Sequence, residues 1–103
     1  PVNIRLEEQA RSIFAELGYT VEGGGREFTA KRDWKSVRVT MMEAGDELPE
    51  TGSLRCFVTE SQTAGQLRRR VRQRAPDYEW AIIGIDGEDY HVERAPPGPR
   101  AHA

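Results

Sequence analysis

The stretch LRCFVTESQTAGQLRRRVRQRAPDYEWAIIGID, residues 54–86, constrains the fold more than any other part of this chain. It reads as strand, helix, strand. Leu54, Cys56 and Val58 share one parity, which gives a strand over 54–59. At 100° per residue, Ala64, Leu67, Val71 and Ala75 fall on one stripe of a helix. Thr63-Ala64-Gly65-Gln66 matches a capping box, so the helix is predicted to start near Thr63, and Pro76 limits its end. The near-continuous apolar run EWAIIGID, residues 79–86, predicts a central strand covered on both faces. A strand-helix-strand unit of this length predicts two parallel strands joined by a right-handed crossover.

The rest of the chain builds around that unit. Leu6, Ala10, Ile13, Phe14 and Leu17 recur at helical spacing and predict a first helix over 4–17. Asn3 is its expected N-cap and Gly18 its stop. Short strands are expected at 19–22, 27–32 and 36–42, with turns at Gly23-Gly24-Gly25 and Asp33-Trp34-Lys35. Phe28 and Ala30 share a face, as do Val37, Val39 and Met41, while Arg38 and Thr40 take the opposite one. The segment EAGDELPETGS, residues 43–53, reads as a loop. Asp86-Gly87 turns the chain into a last hairpin strand over 89–93, with Tyr90 and Val92 inward. The order α-β-β-β-β-α-β-β, a meander followed by the crossover, predicts an α+β two-layer sandwich with a mainly antiparallel sheet. Residues 1–94 read as one domain and 95–103 (APPGPRAHA) as a disordered Pro-rich tail.

Charge and cysteine usage narrow the function classes. Lys plus Arg is 15 and Asp plus Glu is 17, a net charge of -2, which does not describe a general nucleic-acid or membrane binder. The single Cys56 excludes an internal disulfide and any multi-cysteine metal site. No apolar run approaches the ~18 residues of a membrane span, and no signal pattern is read at the N-terminus. A cytoplasmic location is the expectation.

Three groups are candidate sites. The second helix carries Arg68, Arg69, Arg70, Arg72 and Arg74. On the wheel, Arg68 and Arg72 lie on one flank of the apolar stripe, Arg70 and Arg74 on the other, and Arg69 opposite it. Such a scatter fits a solvated surface pairing with acids such as Glu43, Asp46, Glu47 and Glu50 better than a phosphate-tracking stripe. Nucleic-acid or other polyanion binding through these five arginines is the alternative reading. Asp89, His91 and Glu93 alternate on the last strand, and with Asp86 the residues Asp86, Asp89 and His91 are weak candidates for a metal or acid–base site. Cys56 shares the parity of core residues and reads as an inert buried thiol. Gly23-Gly24-Gly25 is not a phosphate loop, since neither Lys-Ser/Thr nor a helix follows it.

An α-β-β-β-α-β order resembles the PD-(D/E)xK nuclease core. That family needs an acid on one strand and a (D/E)xK triplet on the next. The one D-x-K here, Asp33-Trp34-Lys35, falls at a turn, and the strand LRCFVTES holds no lysine, so the resemblance is topological and a metal-dependent hydrolase does not follow from it. The double-stranded-RNA-binding domain shares the α-β-β-β-α order, but the glycine-rich, lysine-led helix start is missing from SQTAGQ. The blocks ARSIFAELGYTVEGGGREFTAKRDWKSVRVT, LRCFVTES and YEWAIIGIDGEDYHV together resemble small uncharacterised haloarchaeal proteins, which carry no established activity. In charge the chain departs from them: 17 acids against 15 bases is no large acidic excess. The expected function is therefore a non-catalytic binding or interaction module without a cofactor. Its partner would be a protein or a second copy of the chain, with nucleic acid less favoured and no membrane.

Overall fold

The computed structural model describes residues 4–94. The expected N-cap Asn3 and the Pro-rich tail 95–103 lie outside the described residues. The order is α1 (Ile4–Glu16), β1 (Thr20–Gly24), β2 (Glu27–Arg32), β3 (Lys35–Met41), β4 (Leu54–Glu60), α2 (Ser61–Arg74), β5 (Glu79–Asp86) and β6 (Asp89–Arg94). This is the small α+β fold with the predicted element order. The six strands form one mixed sheet in sequence order, β1-β2-β3-β4-β5-β6. β1–β2, β2–β3 and β5–β6 pair antiparallel. The crossover through α2 leaves β4 and β5 parallel, as predicted.

The expected meander stops at β3. β4 runs parallel to β3, with Val39 beside Cys56 and Met41 beside Val58. The segment 42–53 carries the chain back along the sheet without a helix. It does so because it has its own anchors: Met42 and Leu48 are buried, and the Tyr78 hydroxyl donates to the Pro49 carbonyl at 2.8 Å. Arg55 Nε donates to the Thr51 carbonyl at 2.6 Å, and the Asp46 carboxylate accepts the Glu43 N–H at 2.8 Å. These bonds supply partners for loop backbone that a sheet or helix would otherwise satisfy.

Layering also differs from a simple two-layer sandwich. Leu6, Ala10, Ile13 and Phe14 of α1 pack on one face with Phe28, Val39, Cys56, Val58, Ile83 and Ile85. Ala64, Leu67 and Val71 of α2 pack on the other face with Leu48, Phe57, Tyr78, Trp80 and Ile82. Alternation along β4 and β5 sends successive side chains to the two cores. There are two layers over β1–β3 and three over β4–β5. β5, buried from Ile82 to Ile85, thus has both faces covered, as its apolar run requires.

Local chemistry explains the element ends. Gly23 and Gly24 extend β1, and only Gly25 and Arg26 form the hairpin loop, with Gly25 at φ 84°. Arg11 of α1 pairs with Glu7 at 3.0 Å, and Glu7 accepts the Gly25 N–H at 3.1 Å, so α1 is pinned to this hairpin. The capping box is not used. α2 starts at Ser61 behind Glu60, whose side chain makes no cap bond; Thr63 Oγ1 donates to the Glu60 carbonyl at 2.9 Å instead. α2 ends at Ala75, at φ 48° in the left-handed region, with Pro76 following. None of the described helices is long and apolar enough to cross a membrane.

Candidate functional site

The arginines of α2 divide as the wheel predicts. Arg68 reaches over the β6 side and pairs with Glu93 at 2.7 Å, its Nε buried and without a partner among the described residues. Arg70 reaches the other way and donates to the Asp46 carbonyl, while the Asp46 carboxylate is taken by Arg26 at 3.1 Å. Of the acids expected to receive these arginines, only Asp46 does so, and through its backbone; Glu93 was not among them. Arg69, Arg72 and Arg74 are exposed. The five therefore divide into two that tie α2 to its neighbours and three that face solvent.

Asp86 and Asp89 sit opposite each other at the mouth of the β5–β6 hairpin, and His91 sits opposite Gly84. The His91 ring lies over Gly84, where a Cβ would come within 2.4 Å of Cε1, and its Nε2 is 3.4 Å from Glu93. Among the described residues, no group of three or more His, Cys, Asp or Glu is placed to hold a metal ion. Cys56 is buried in the α1-side core, on the sheet face opposite to His91. Burial pushes its thiol up to about 12 from 9.0, with Arg94 pulling weakly the other way. Asp33 and Trp34 form the two-residue tip of the β2–β3 hairpin, Asp33 at φ 56° and Trp34 94% exposed.

Two features escape a reading along the sequence. The first is a charge hub on the open face of β2–β4. Glu27 Oε2 accepts from Thr40 Oγ1 at 2.8 Å and from Arg55 at 3.3 Å, and its Oε1 lies 3.6 Å from Arg38. Strand pairing sets Glu27 beside Thr40 and Arg38 beside Arg55, so all four share one face. Parity alone could not find them, because it needed the parallel β3–β4 register. A carboxylate already held by two guanidinium groups and a hydroxyl is neutralised in place, a structural arrangement more than a reactive one.

The second is on the α1 side. Tyr90 and Val92, expected inward, share that face, but they are 42% and 46% exposed. α1 stops short of β6. One groove runs between them, lined by Arg5, Gln9, Ile13, Ile85 and Tyr90 among others. A second, at the other end of α1, brings together Leu17, Tyr19, Leu54, Ala81, Val92 and Arg94. Leu17, placed on the buried stripe by its spacing, lies past the helix end and is 45% exposed. Leu17, Val92 and Tyr90 thus form an apolar strip along the edge strand.

No curated protein and no solved structure matches the chain. A family of unknown function, DUF7116, matches residues 7–94, from within α1 to the last residue of β6. The family so defined takes in both cores, the crossover and the strip beside β6, and the chain belongs to it.

Proposed function

We propose that this domain is a non-catalytic binding module and that it meets a protein partner on the α1 side, along β6. The observation that carries this reading is the strip of Leu17, Val92 and Tyr90 beside two grooves. Apolar side chains on one face of an uncovered strand supply the contact area that protein interfaces use. The rim adds charge: Arg5, Glu8 and Glu16 from α1, with Arg94 from β6. The buried, neutral Cys56 fits a reducing compartment, so the cytoplasm stays the proposed location.

Polyanion binding through Arg68, Arg69, Arg70, Arg72 and Arg74 is the weaker reading. Two of the five are engaged within the chain, which leaves Arg69, Arg72 and Arg74 as the part that a phosphate backbone would meet. The haloarchaeal likeness is likewise kept as a proposal, tested by whether the fold gains stability in molar potassium chloride.

The binding reading is tested by photo-crosslinking in cells. A benzophenone side chain is placed at Leu17, at Tyr90, or at Thr29 on the open face of β2. Adducts at positions 17 and 90 with none at 29 are expected. Adducts of equal yield at 29, or none at 17 and 90, overturn it.

A further inference from the structure

We infer that the occupant of the β6 edge is a second copy of this chain, paired antiparallel about a two-fold axis at Val92; this rests on the reading of the α1-side strip as the interface. Among the described residues the sheet has two edges, β1 and β6. β1 is five residues ending in Gly23-Gly24, a short and weakly templating edge. β6 is six residues with no proline and no glycine, and its charges, Asp89, Glu93 and Arg94, guard the edge only against registers that leave them unmatched.

Its register follows from the hairpin. Asp86 and Asp89 close a two-residue loop. A closing pair of that kind carries the narrow hydrogen bonds, so residues 89, 91 and 93 direct their N–H and C=O toward β5. Tyr90, Val92 and Arg94 then direct theirs outward, to the open edge. An isologous pair must match a strand with its own reverse. Side-chain alternation restricts the match to registers that keep Tyr90 and Val92 on one face.

Charge chooses among them. An axis at His91 sets Asp89 against Glu93 of the other copy, twice, and like charges directly opposite are destabilising. An axis at Glu93 sets the two Glu93 carboxylates face to face. An axis at Tyr90 engages Glu88 and Val92, an acid against an apolar side chain, and leaves Arg94 out of the ladder. An axis at Val92 alone sets His91 against Glu93 twice and Tyr90 against Arg94 twice, with Val92 packed on its own copy. That register also uses all three outward-facing residues, which gives a ladder of paired N–H and C=O groups across the axis. The two apolar strips become one, continuous across a sheet of twice the strands.

Sedimentation and cysteine trapping test this on the whole chain. The wild type is expected at twice 11.6 kDa, dissociating on dilution. Val92→Lys, which sets two ammonium groups opposite each other, is expected at the monomer mass with an unchanged circular dichroism spectrum. Val92→Cys, treated with oxidised glutathione, is expected to form a covalent dimer, because a hydrogen-bonded antiparallel pair holds its Cα atoms ~5.5 Å apart, within disulfide reach. Tyr90→Cys is expected to form no covalent dimer under the same oxidation. A wild type at the monomer mass at every concentration, or a dimer untouched by Val92→Lys, overturns the proposal. So does a covalent dimer from Tyr90→Cys in place of Val92→Cys. Crosslinks from position 90 to a different protein would sink the second copy and keep the binding surface; no crosslinks there would sink both.

Discussion

At the scale of single residues, two titrating groups give the sharpest tests. The Cys56 thiol stays protonated in the folded chain up to about 12, while the unfolded thiol ionises near 9.0. Its contribution to stability is therefore full below pH 9.0 and is lost as pH rises toward 12. A thiol reagent at pH 8 should label Cys56 only as fast as the chain opens, and labelling at the rate of a free thiol would contradict its burial. Burial also raises Tyr78 above 10.0, against the opposing charges of Arg55 and Arg74. The neutral hydroxyl is the form that donates to Pro49. Tyr78→Phe should cost about 1 kcal/mol in a denaturant melt near neutral pH. It should also remove part of the stability loss that the wild type shows above pH 10. The burial of Cys56 was legible from its parity with Leu54 and Val58. The Tyr78 bond was not, because its acceptor lies 29 residues upstream in a loop with no periodicity to read.

Among the elements, the ends of α2 and the returning loop are the parts that sequence patterns misjudge or leave open. A capping box is a local pattern, and here it lost to the strand before it: β4 runs directly into α2, so the helix begins at Ser61 and Thr63 bonds back to Glu60 and Thr59. The C-terminal end followed the Pro76 rule, at the cost of a left-handed alanine. Ala75→Gly should relieve that strain and stabilise the fold by about 0.5–1 kcal/mol, seen as a higher melting temperature. A lower one would mean that the extra freedom of glycine in the unfolded chain outweighs the relief. The loop 42–53 reads as polar punctuation, yet Leu48 in its middle belongs to the α2-side core. Leu48→Ala should cost about 2–3 kcal/mol, near the lower part of the range for core truncations, since the loop backbone can settle into the space. A change below about 0.5 kcal/mol would mean that the loop does not act as a packed layer.

For the whole molecule, β4 and β5 belong to both cores, so neither core can open without disturbing the other. Unfolding should therefore be a single transition, with circular dichroism and tryptophan fluorescence coinciding. Trp34 is already in solvent and Trp80 is buried, so Trp80→Phe should remove most of the fluorescence change and Trp34→Phe little of it. Separate midpoints for the two probes would show that the two faces fold apart. The class and element order were legible because each element is strongly periodic. The open strip on β6 was not, because alternation says which face a side chain takes and nothing about whether a helix is long enough to cover it. The sheet's order has one more consequence. Every described strand lies beside the one made before it, so contacts can form in the order of synthesis. A sheet that grows this way always has its newest strand as its growing front. Among the described residues that front is β6, and a second molecule added there would continue, between chains, the same growth that built the sheet within one.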